Sequence, residues 1–227
     1  AAPEPILSWG FTEESSPEQD ALNDKQHTSP LSAEASKERL TFFKFTAEFC
    51  FTTAARHGGC YALKNEQGKL VAATVTFPPN DKNLHDAGVC EMMFVLGKLN
   101  MPSQYSSGNT AVKCDRIVSV FKEAHKEHAS IPHIYVYMFA CDPEHQRKGY
   151  GRRLAEIMNS AGDSLQVPMY LETAGTANEK FYGLNGYELK KRHKLEVAIN
   201  KRVDAFKVDG NQGVAAMVRT PVAPNAQ

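Results

Sequence analysis

Residues 146–151 read Gln146-Arg147-Lys148-Gly149-Tyr150-Gly151. An apolar run at 134–141 precedes them, and the segment at 152–161 that follows carries apolar side chains at i, i+3, i+4 and i+7. That spacing is typical of a helix with one buried face, whereas the continuous apolar run is typical of a strand buried on both faces. The sequence therefore predicts a strand, a tight loop with two glycines, and then the N-terminus of a helix.

This loop has the chemistry of an anion-binding site. Glycines let the backbone turn without Cβ clashes and point successive N–H groups into one concavity, and the helix dipole adds partial positive charge. Arg147, Lys148, Arg152 and Arg153 supply formal positive charge. The order Q-x-x-G-x-G is neither the G-x-x-x-x-G-K-[ST] of nucleotide hydrolases nor the G-x-G-x-x-G of dinucleotide folds. A different diphosphate is implied.

Further short motifs flank the loop on both sides. In chain order they are His133-Ile134-Tyr135-Val136, Phe139-Ala140-Cys141-Asp142-Pro143-Glu144-His145, Leu171-Glu172-Thr173, Asn178 and Phe181-Tyr182-Gly183-Leu184-Asn185-Gly186-Tyr187. Together with the glycine loop, this order resembles the GNAT superfamily of acetyl-CoA-dependent N-acyltransferases, in particular the branch that contains puromycin N-acetyltransferase. The resemblance is carried by residues 133–190 and extends to 59–79.

The resemblance implies an α/β (α+β) GNAT fold. This is a mixed, mostly antiparallel twisted sheet with helices on both faces and a central cofactor cleft where the central strands part. It also implies direct transfer of an acetyl group from acetyl-CoA to a primary amine in a ternary complex, without a covalent enzyme intermediate. A small-molecule amine is expected rather than a protein amine, and no metal is expected.

The resemblance also assigns roles to residues. It implies that acetyl-CoA contacts residues of the central strand, the glycine loop and a later helix, namely Phe139, Ala140, Cys141, Gln146, Arg147, Lys148, Gly149, Tyr150, Gly151, Arg152, Asn178 and Tyr182. A bulge expected near 138–140 frees backbone N–H groups that polarise the acetyl carbonyl. Asn178 then bonds the cofactor arm, and Tyr182 is the acid that protonates the leaving thiolate.

Spacing supports the pairing of the last two residues. Thr176 and Glu179 have the S/T-x-x-E order of a capping box, which predicts a helix over 177–184. Asn178 and Tyr182 are then i and i+4 neighbours on one face. The structural alternative is a polar surface residue beside a packing aromatic.

An amine acceptor requires a base, because an alkylamine with a pKa near 10.4 is almost entirely protonated at pH 7. Glu172 is the first candidate, since it lies at the end of a strand with the same parity as Tyr170. His133, His145 and Glu91 are alternatives, as is a chain of water molecules.

The 227 residues suit one domain: an extension at 1–30 that is mostly loop, a GNAT domain at 31–220 and a disordered tail at 221–227. Periodicity and turn residues predict the remaining elements, which are helices at 34–57, 91–99 and 112–128 and strands at 60–63, 70–77, 169–173, 187–197 and 214–219. In the first helix, Leu40, Phe43 and Phe51 are predicted on the core face, and Phe42 and Phe45 on a second face that also packs.

Composition bounds the remaining possibilities. Lys plus Arg and Asp plus Glu both total 26, so attraction to nucleic acid or acidic membranes is not expected. The five cysteines form no C-x-x-C pair, which favours reduced thiols and a cytoplasmic protein. His125 and His128 are spaced i, i+3, but no carboxylate or cysteine spacing completes a metal site. Two rival interpretations are a non-catalytic acyl-CoA-binding sensor and an interaction domain for acidic protein or RNA; the oligomeric state stays open.

Overall fold

The computed structural model describes residues 33–57, 59–79, 108–199, 202–208 and 210–223. Its helices are α1 (Ala33–Ala55), α2 (Gly108–His128), α3 (Tyr150–Leu165) and α4 (Thr176–Leu184), with a 3-10 turn at Pro143–His145. Its strands are β1 (Cys60–Lys64), β2 (Leu70–Phe77), β3 (Ile134–Cys141), β4 (Met169–Thr173), β5 (Glu188–His193), β6 (Glu196–Ile199), β7 (Arg202–Ala205), β8 (Lys207–Val208), β9 (Asn211–Gln212) and β10 (Val214–Arg219). The predicted extension at 1–30 and the predicted helix at 91–99 lie outside the described residues.

Six strands form one sheet in the order β1-β2-β3-β4-β10-β5. Every neighbouring pair is antiparallel except β3 and β4, which run parallel. The predicted hairpin of β1 and β2 is present, and the Asn65 side chain closes its turn by accepting from the N–H groups of Gln67 and Lys69 at 3.0 and 2.9 Å. The mixed, mostly antiparallel sheet predicted from the sequence is confirmed.

Helices cover both faces of this sheet. Cys50 and Ala54 of α1 and Ala124 of α2 pack on the face that carries Tyr135 and Tyr170. On the other face, Ala155 and Met158 of α3 pack against Ile134, Val136 and Leu171, with Phe181 and Tyr182 of α4 beside them. The cores therefore lie in two layers, one on each side of the sheet.

The core face predicted for α1 is wrong in part. Leu40, Phe43 and Phe51 are exposed, whereas Phe42 and Phe45 are buried. Apolar side chains occur around most of this helix, so periodicity does not single out one face. Contact with the sheet selects the face, and the expectation that Phe42 and Phe45 pack in the core is confirmed.

The strand predicted at 187–197 is interrupted. β5 ends at His193, and β6 then leaves the main sheet to pair with β7. Leu195 between them is buried with Phe206 against Ile117 and Val120 of α2, and the Phe206 N–H donates to the Leu195 carbonyl at 2.8 Å. The predicted final strand forms as β10 and inserts between β4 and β5. Among the described helices, none combines the length and apolarity needed to cross a membrane.

Two glycines provide a matched test of the β5–β10 connection. Gly213 has φ +85°, and a Cβ there would lie 1.9 Å from the His193 carbonyl oxygen. Gly210 has φ +77° with no heavy atom within 4 Å of the same position. Either alanine substitution strains the backbone by about 1 kcal/mol, but only Gly213→Ala must also displace a neighbouring strand. We expect Gly213→Ala to lower the free energy of unfolding by at least about 2 kcal/mol more than Gly210→Ala in urea melts. Equal losses would contradict this packing.

Candidate active site

The glycine loop leads directly into α3, which begins at Tyr150, two residues before the predicted start. Arg147 has φ 60° and Gly149 has φ 85°, so the chain turns twice through the left-handed region. The first helical bond runs from the Arg153 N–H to the Gly149 carbonyl at 3.0 Å. The N–H groups at 150–152 precede it and have no carbonyl partner within the helix. The N–H of Gly151 faces the Cys141 thiol at the end of β3.

Positive charge surrounds these N–H groups. Arg147, Lys148 and Arg153 are exposed and form no ion pair with any described residue, whereas Arg152 pairs with Glu156 at 2.9 Å. The Gln146 amide donates to the Cys141 carbonyl at 3.4 Å and so holds the loop against the strand end. Amides at a helix N-terminus together with unpaired cations suit a phosphate group.

A gap between the two parallel strands adjoins this loop. β3 and β4 are in register only at Ile134 with Met169 and at Tyr135 with Tyr170. β3 then continues beside β2 alone to Cys141, because β4 has moved away. The cleft between central strands that the sequence predicts is therefore present at the end of β3.

A β-bulge lies where the strands part. Thr76 pairs with Val136 and Val75 pairs with Met138, which leaves Tyr137 without a partner on β2. The bulge thus occurs one residue before the predicted 138–140. Its effect is that Tyr137 and Met138 both pack on the face of α1 and α2, while Phe139 returns to the face of α3 and α4.

Beyond the bulge, the backbone presents polar groups to the gap. The Asp142 N–H donates to the Val71 carbonyl at 2.9 Å, and the Met138 carbonyl accepts from the Thr74 hydroxyl at 2.7 Å, so both point toward β2. Since bonding direction alternates along an antiparallel strand, Phe139 and Cys141 direct their N–H and C=O groups to the opposite edge, where β4 has parted. These backbone groups belong to the segment that the resemblance predicts beside the acetyl carbonyl.

Glu172 lies on the face of α1 and α2 between two tyrosines. The Tyr135 hydroxyl donates to its Oε2 at 2.7 Å, and the Tyr170 hydroxyl donates to its Oε1 at 2.8 Å. Burial raises the pKa of Glu172 to about 7, although the two hydrogen bonds favour the ionised form. The carboxyl therefore changes protonation state near neutral pH, as a general base must.

A buried histidine that sequence reasoning did not assign to the site supports this arrangement. The His125 ring stacks on Tyr170 with centroids 5.1 Å apart, and its Nε2 lies 2.8 Å from Nε2 of His133. His133 Nδ1 lies 2.7 Å from the Ile131 carbonyl, which can only accept, so that nitrogen carries a proton. Burial lowers the pKa of His133, and its other nitrogen is occupied by His125. His125 and Tyr170 are far apart in the sequence. The sequence therefore shows the i, i+3 spacing of His125 and His128 but not the contact with Tyr170.

The other candidate bases are placed differently. His145 contacts the Asp142 carboxylate at 3.2 Å and the edge of the Tyr150 ring, so it braces the glycine loop. Glu91 lies outside the described residues. Of the two described alternatives, only His133 contacts the tyrosines around Glu172, at 5.9 Å between its ring centroid and that of Tyr170.

The predicted capping box of α4 is wrong. The helix begins at Thr176 with Gly175 as its N-cap, a residue that has no side chain with which to cap it. Glu179 instead pairs with Arg192 of β5, since a charged partner from the neighbouring strand outcompetes a backbone N–H on its own helix. The helix itself, and the one-turn spacing of Asn178 and Tyr182, remain as predicted.

Asn178 and Tyr182 have different surroundings. Asn178 is exposed, and its amide N–H donates to the Ala174 carbonyl at 2.9 Å, which leaves the amide oxygen as an acceptor. The Tyr182 ring packs against Phe139 and Phe181 with centroids 6.2 and 5.1 Å away. Burial raises the pKa of Tyr182, so its hydroxyl stays protonated at neutral pH. That hydroxyl forms no hydrogen bond within the described part of the chain.

The elements converge around the gap. Phe139 and Phe181 both lie against Gly151, and a Cβ added at Gly151 would lie 3.6 Å from the Phe181 ring. The glycine loop, the end of β3 and α4 are therefore in contact. Glu172 and Tyr182 lie on opposite faces of the sheet and do not touch each other.

Cys141 does not have the environment of a nucleophile. Burial raises the pKa of its thiol, and the thiol contacts the Asp142 carbonyl at 3.8 Å rather than a histidine. A reactive cysteine needs a lowered pKa and an adjacent base. Cys141 therefore lacks the features of a covalent nucleophile.

Comparison with known proteins finds similar structures but no matching family and no matching sequence. No protein-family model matches the chain, and no curated protein matches its sequence. An agmatine N-acetyltransferase in its apo form is 18% identical with a TM-score of 0.55, and the alignment covers 96% of this chain and 88% of that one. The polyamine N-acetyltransferase of Drosophila melanogaster, which catalyses the formation of N-acetylagmatine, is 17% identical with a TM-score of 0.52 and the same coverage.

Arylalkylamine N-acetyltransferase 2 of Aedes aegypti is 10% identical with a TM-score of 0.51, again covering 96% of this chain and 88% of that one. The three likenesses extend over nearly the whole chain, and at these identities they establish architecture alone. The chain has the fold of these N-acetyltransferases.

Proposed function

We propose that this protein is a GNAT-type N-acetyltransferase, which transfers an acetyl group from acetyl-CoA directly to a primary amine within a ternary complex. One observation carries the proposal. A cationic glycine loop lies at the end of β3, where β4 has parted, and a carboxyl with a pKa of about 7 lies on one face of the same gap. The phosphate-binding loop and the proton acceptor thus both adjoin the edge of β3 that has no neighbouring strand.

The glycine loop binds the diphosphate of acetyl-CoA in this proposal. N–H groups of Tyr150 and Arg152 precede the first helical bond, and Arg147 and Lys148 carry charges that no described carboxylate neutralises. Gln146 holds the loop to β3, and the positive φ of Gly149 turns the chain into the helix. Fixed amides bind phosphate without reorganising, and the exposed cations add attraction.

The pantetheine arm lies along the free edge of β3. Phe139 presents its N–H and C=O groups there and Cys141 its N–H group, on either side of the exposed Ala140, so the amides of the arm take the place of the missing strand. The amide oxygen of Asn178 is an additional acceptor. Backbone N–H groups beside the gap then polarise the acetyl carbonyl and stabilise the oxyanion that develops during attack.

Glu172 acts as the base. A carboxylate with a pKa of about 7 is half ionised at neutral pH and accepts a proton from the attacking amine. The hydroxyls of Tyr135 and Tyr170 hold its two oxygens in fixed positions, so little reorganisation is needed when the proton arrives.

Tyr182 acts as the acid from the other face of the gap. A CoA thiol has a pKa near the usual cysteine value of about 8.5, and its departure is easier when it leaves protonated. The raised pKa of Tyr182 keeps its proton in place until the sulfur atom becomes negative. Its hydroxyl has no competing partner among the described residues, so it is available to the leaving group.

A small amine is the favoured acceptor. The similar structures are named for agmatine, polyamine and arylalkylamine substrates, all of which are small molecules with a primary amine. Membership of the branch containing puromycin N-acetyltransferase stays a prediction of the sequence.

The acid is tested by measuring thiol release from acetyl-CoA with a panel of small alkyl, guanidino and arylalkyl amines. We expect release that depends on amine, and a kcat lower by on the order of 100-fold in Tyr182→Phe because the leaving thiolate loses its proton donor. Acetyl-CoA affinity should be unchanged, since the aromatic ring remains. Wild-type kcat in the variant would contradict the assignment, and tight acetyl-CoA binding with no release for any amine would favour a sensor.

The base is tested by the pH dependence of kcat at saturating substrates. Below pH 7 Glu172 is protonated and cannot accept a proton, so kcat should fall about tenfold per pH unit there and level off above it. We expect Glu172→Gln to lower the plateau and remove this acidic limb. His133→Gln should keep the limb; if instead His133→Gln abolishes it and Glu172→Gln does not, His133 is the base.

The phosphate site is tested by two substitutions at one position. Gly151 lies in the first turn of α3, and a Cβ there would meet the rings of Phe181 and Phe139 at ordinary contact distances of 3.6 to 3.8 Å. Gly151→Ala should therefore fold and bind acetyl-CoA within about tenfold of wild type. Gly151→Glu places a negative side chain beside the diphosphate and should abolish binding in calorimetric titrations. Equal affinities for the two variants would refute this placement.

A further inference from the structure

A second group of polar side chains lies on the face of the sheet opposite α3. Glu127 and His128 belong to the last turn of α2, and His193 is the last residue of β5, the strand at the sheet edge. The proposed acetyl transfer uses none of the three. His125 and His128, which the sequence offers as a possible metal pair, diverge: His125 meets His133, whereas His128 meets His193.

The ligand atoms of this group converge. His128 Nε2 lies 3.1 Å from His193 Nε2 and 3.7 Å from Glu127 Oε1, and His193 Nε2 lies 4.0 Å from Glu127 Oε2. A tetrahedral zinc ion with bonds of about 2.0–2.1 Å separates its ligand atoms by about 3.3–3.4 Å. The observed separations bracket that value, so small rotations, chiefly of the exposed Glu127 side chain, bring all three atoms to one centre.

We propose that Glu127, His128 and His193 form a binding site for a divalent transition-metal ion of the zinc class, with water in the fourth position. Two imidazole nitrogens and one carboxylate oxygen are a donor set that zinc accepts and that magnesium and calcium, which prefer oxygen alone, do not. The carboxylate that sequence spacing did not supply is the neighbour of His128 in the helix.

The charge states suit this role. A metal ligand must be a neutral imidazole or an ionised carboxylate. Burial lowers the pKa of His193, and the hydrogen bond from Lys191 lowers the pKa of Glu127. Neither His128 nor His193 is tied through Nδ1 to a described residue, so both rings can present the Nε2 lone pair to an ion.

The positive charge of Lys191 opposes the binding of a metal ion. Its Nζ lies 2.9 Å from both oxygens of Glu127. Each carboxylate oxygen has more than one acceptor direction, so a ligand position remains, but the ammonium repels a divalent cation at close range. Removing Lys191 should therefore tighten metal binding, whereas removing any of the three ligands should weaken it.

The chain offers an internal comparison. Asp142, Glu144 and His145 also lie close together, but they supply only one imidazole. Lys69 contacts both carboxylates at 2.9 Å, and Asp142 in addition accepts from the Glu144 N–H. This second group is already satisfied by hydrogen bonds and ion pairs, so it serves as the control.

A metal at the end of α2 would fix that helix to the sheet edge. The same helix carries His125, whose ring stacks on Tyr170 beside Glu172. The metal site depends only on the geometry of its three ligands and is independent of acetyl transfer.

The test is calorimetric titration of the full chain with Zn²⁺, after removal of metal with a chelator. We expect one ion per chain in the wild type and in His145→Gln. His193→Gln and Glu127→Gln should weaken binding by at least about 100-fold, because loss of even an outer-shell partner costs about 10–100-fold. Lys191→Gln should bind more tightly than wild type. The Co²⁺ form should show no sulfur-to-metal charge-transfer band.

Three results would overturn the proposal. They are absence of Zn²⁺ binding by the wild type, loss of binding in His145→Gln with retention in Glu127→Gln, and a Co²⁺ spectrum that shows thiolate ligands. Glu127 is exposed, so Glu127→Gln decides the matter if His193→Gln fails to fold. Thermal unfolding with and without Zn²⁺ provides a second readout, since an ion that binds only the native state raises Tm in wild type but not in Glu127→Gln.

Discussion

The parting of β3 from β4 is the constraint on which the rest of the structure depends. The two parallel strands share only two residue pairs, and the bulge at Tyr137 turns β3 just beyond them. A strand edge that lacks a neighbour would ordinarily be a liability, because its polar groups seek a partner. Here the glycine loop and the N-terminus of α3 lie at the end of this edge, so the edge forms one wall of the candidate site.

The burial of Glu172 comes at a cost to stability at neutral pH. Its folded-state pKa of about 7 lies above its ordinary value of 4.5, so the folded state binds a proton more tightly than the unfolded chain does. The contribution of this group is therefore most favourable below pH 4.5 and is lost as the pH rises through about 7. Two tyrosine hydroxyls offset part of that loss. A buried carboxyl with a raised pKa is a feature that marks a candidate functional site.

At several positions, a contact with a residue distant in the sequence replaces the contact that local spacing predicts. Glu179 has the right spacing to cap α4 but pairs with Arg192 of β5. His125 and His128 lie one turn apart in α2, yet each meets a different histidine, from the start of β3 and from the end of β5. In each case the sequence identified the element correctly, and the tertiary contact then decided what the side chain does.

The sequence by itself determined the β1–β2 hairpin, β3, β10, the glycine loop leading into α3, and the one-turn spacing of Asn178 and Tyr182. Periodicity and backbone conformation act over a few residues, so the local sequence is enough to determine these features. Only the tertiary structure decided the position of the bulge, the face of α1 that packs, the pKa of Glu172 and the meeting of His128 with His193. Those properties arise from contacts such as Tyr135 with Glu172, which are 37 residues apart in the chain and adjacent only because the sheet brings their strands together.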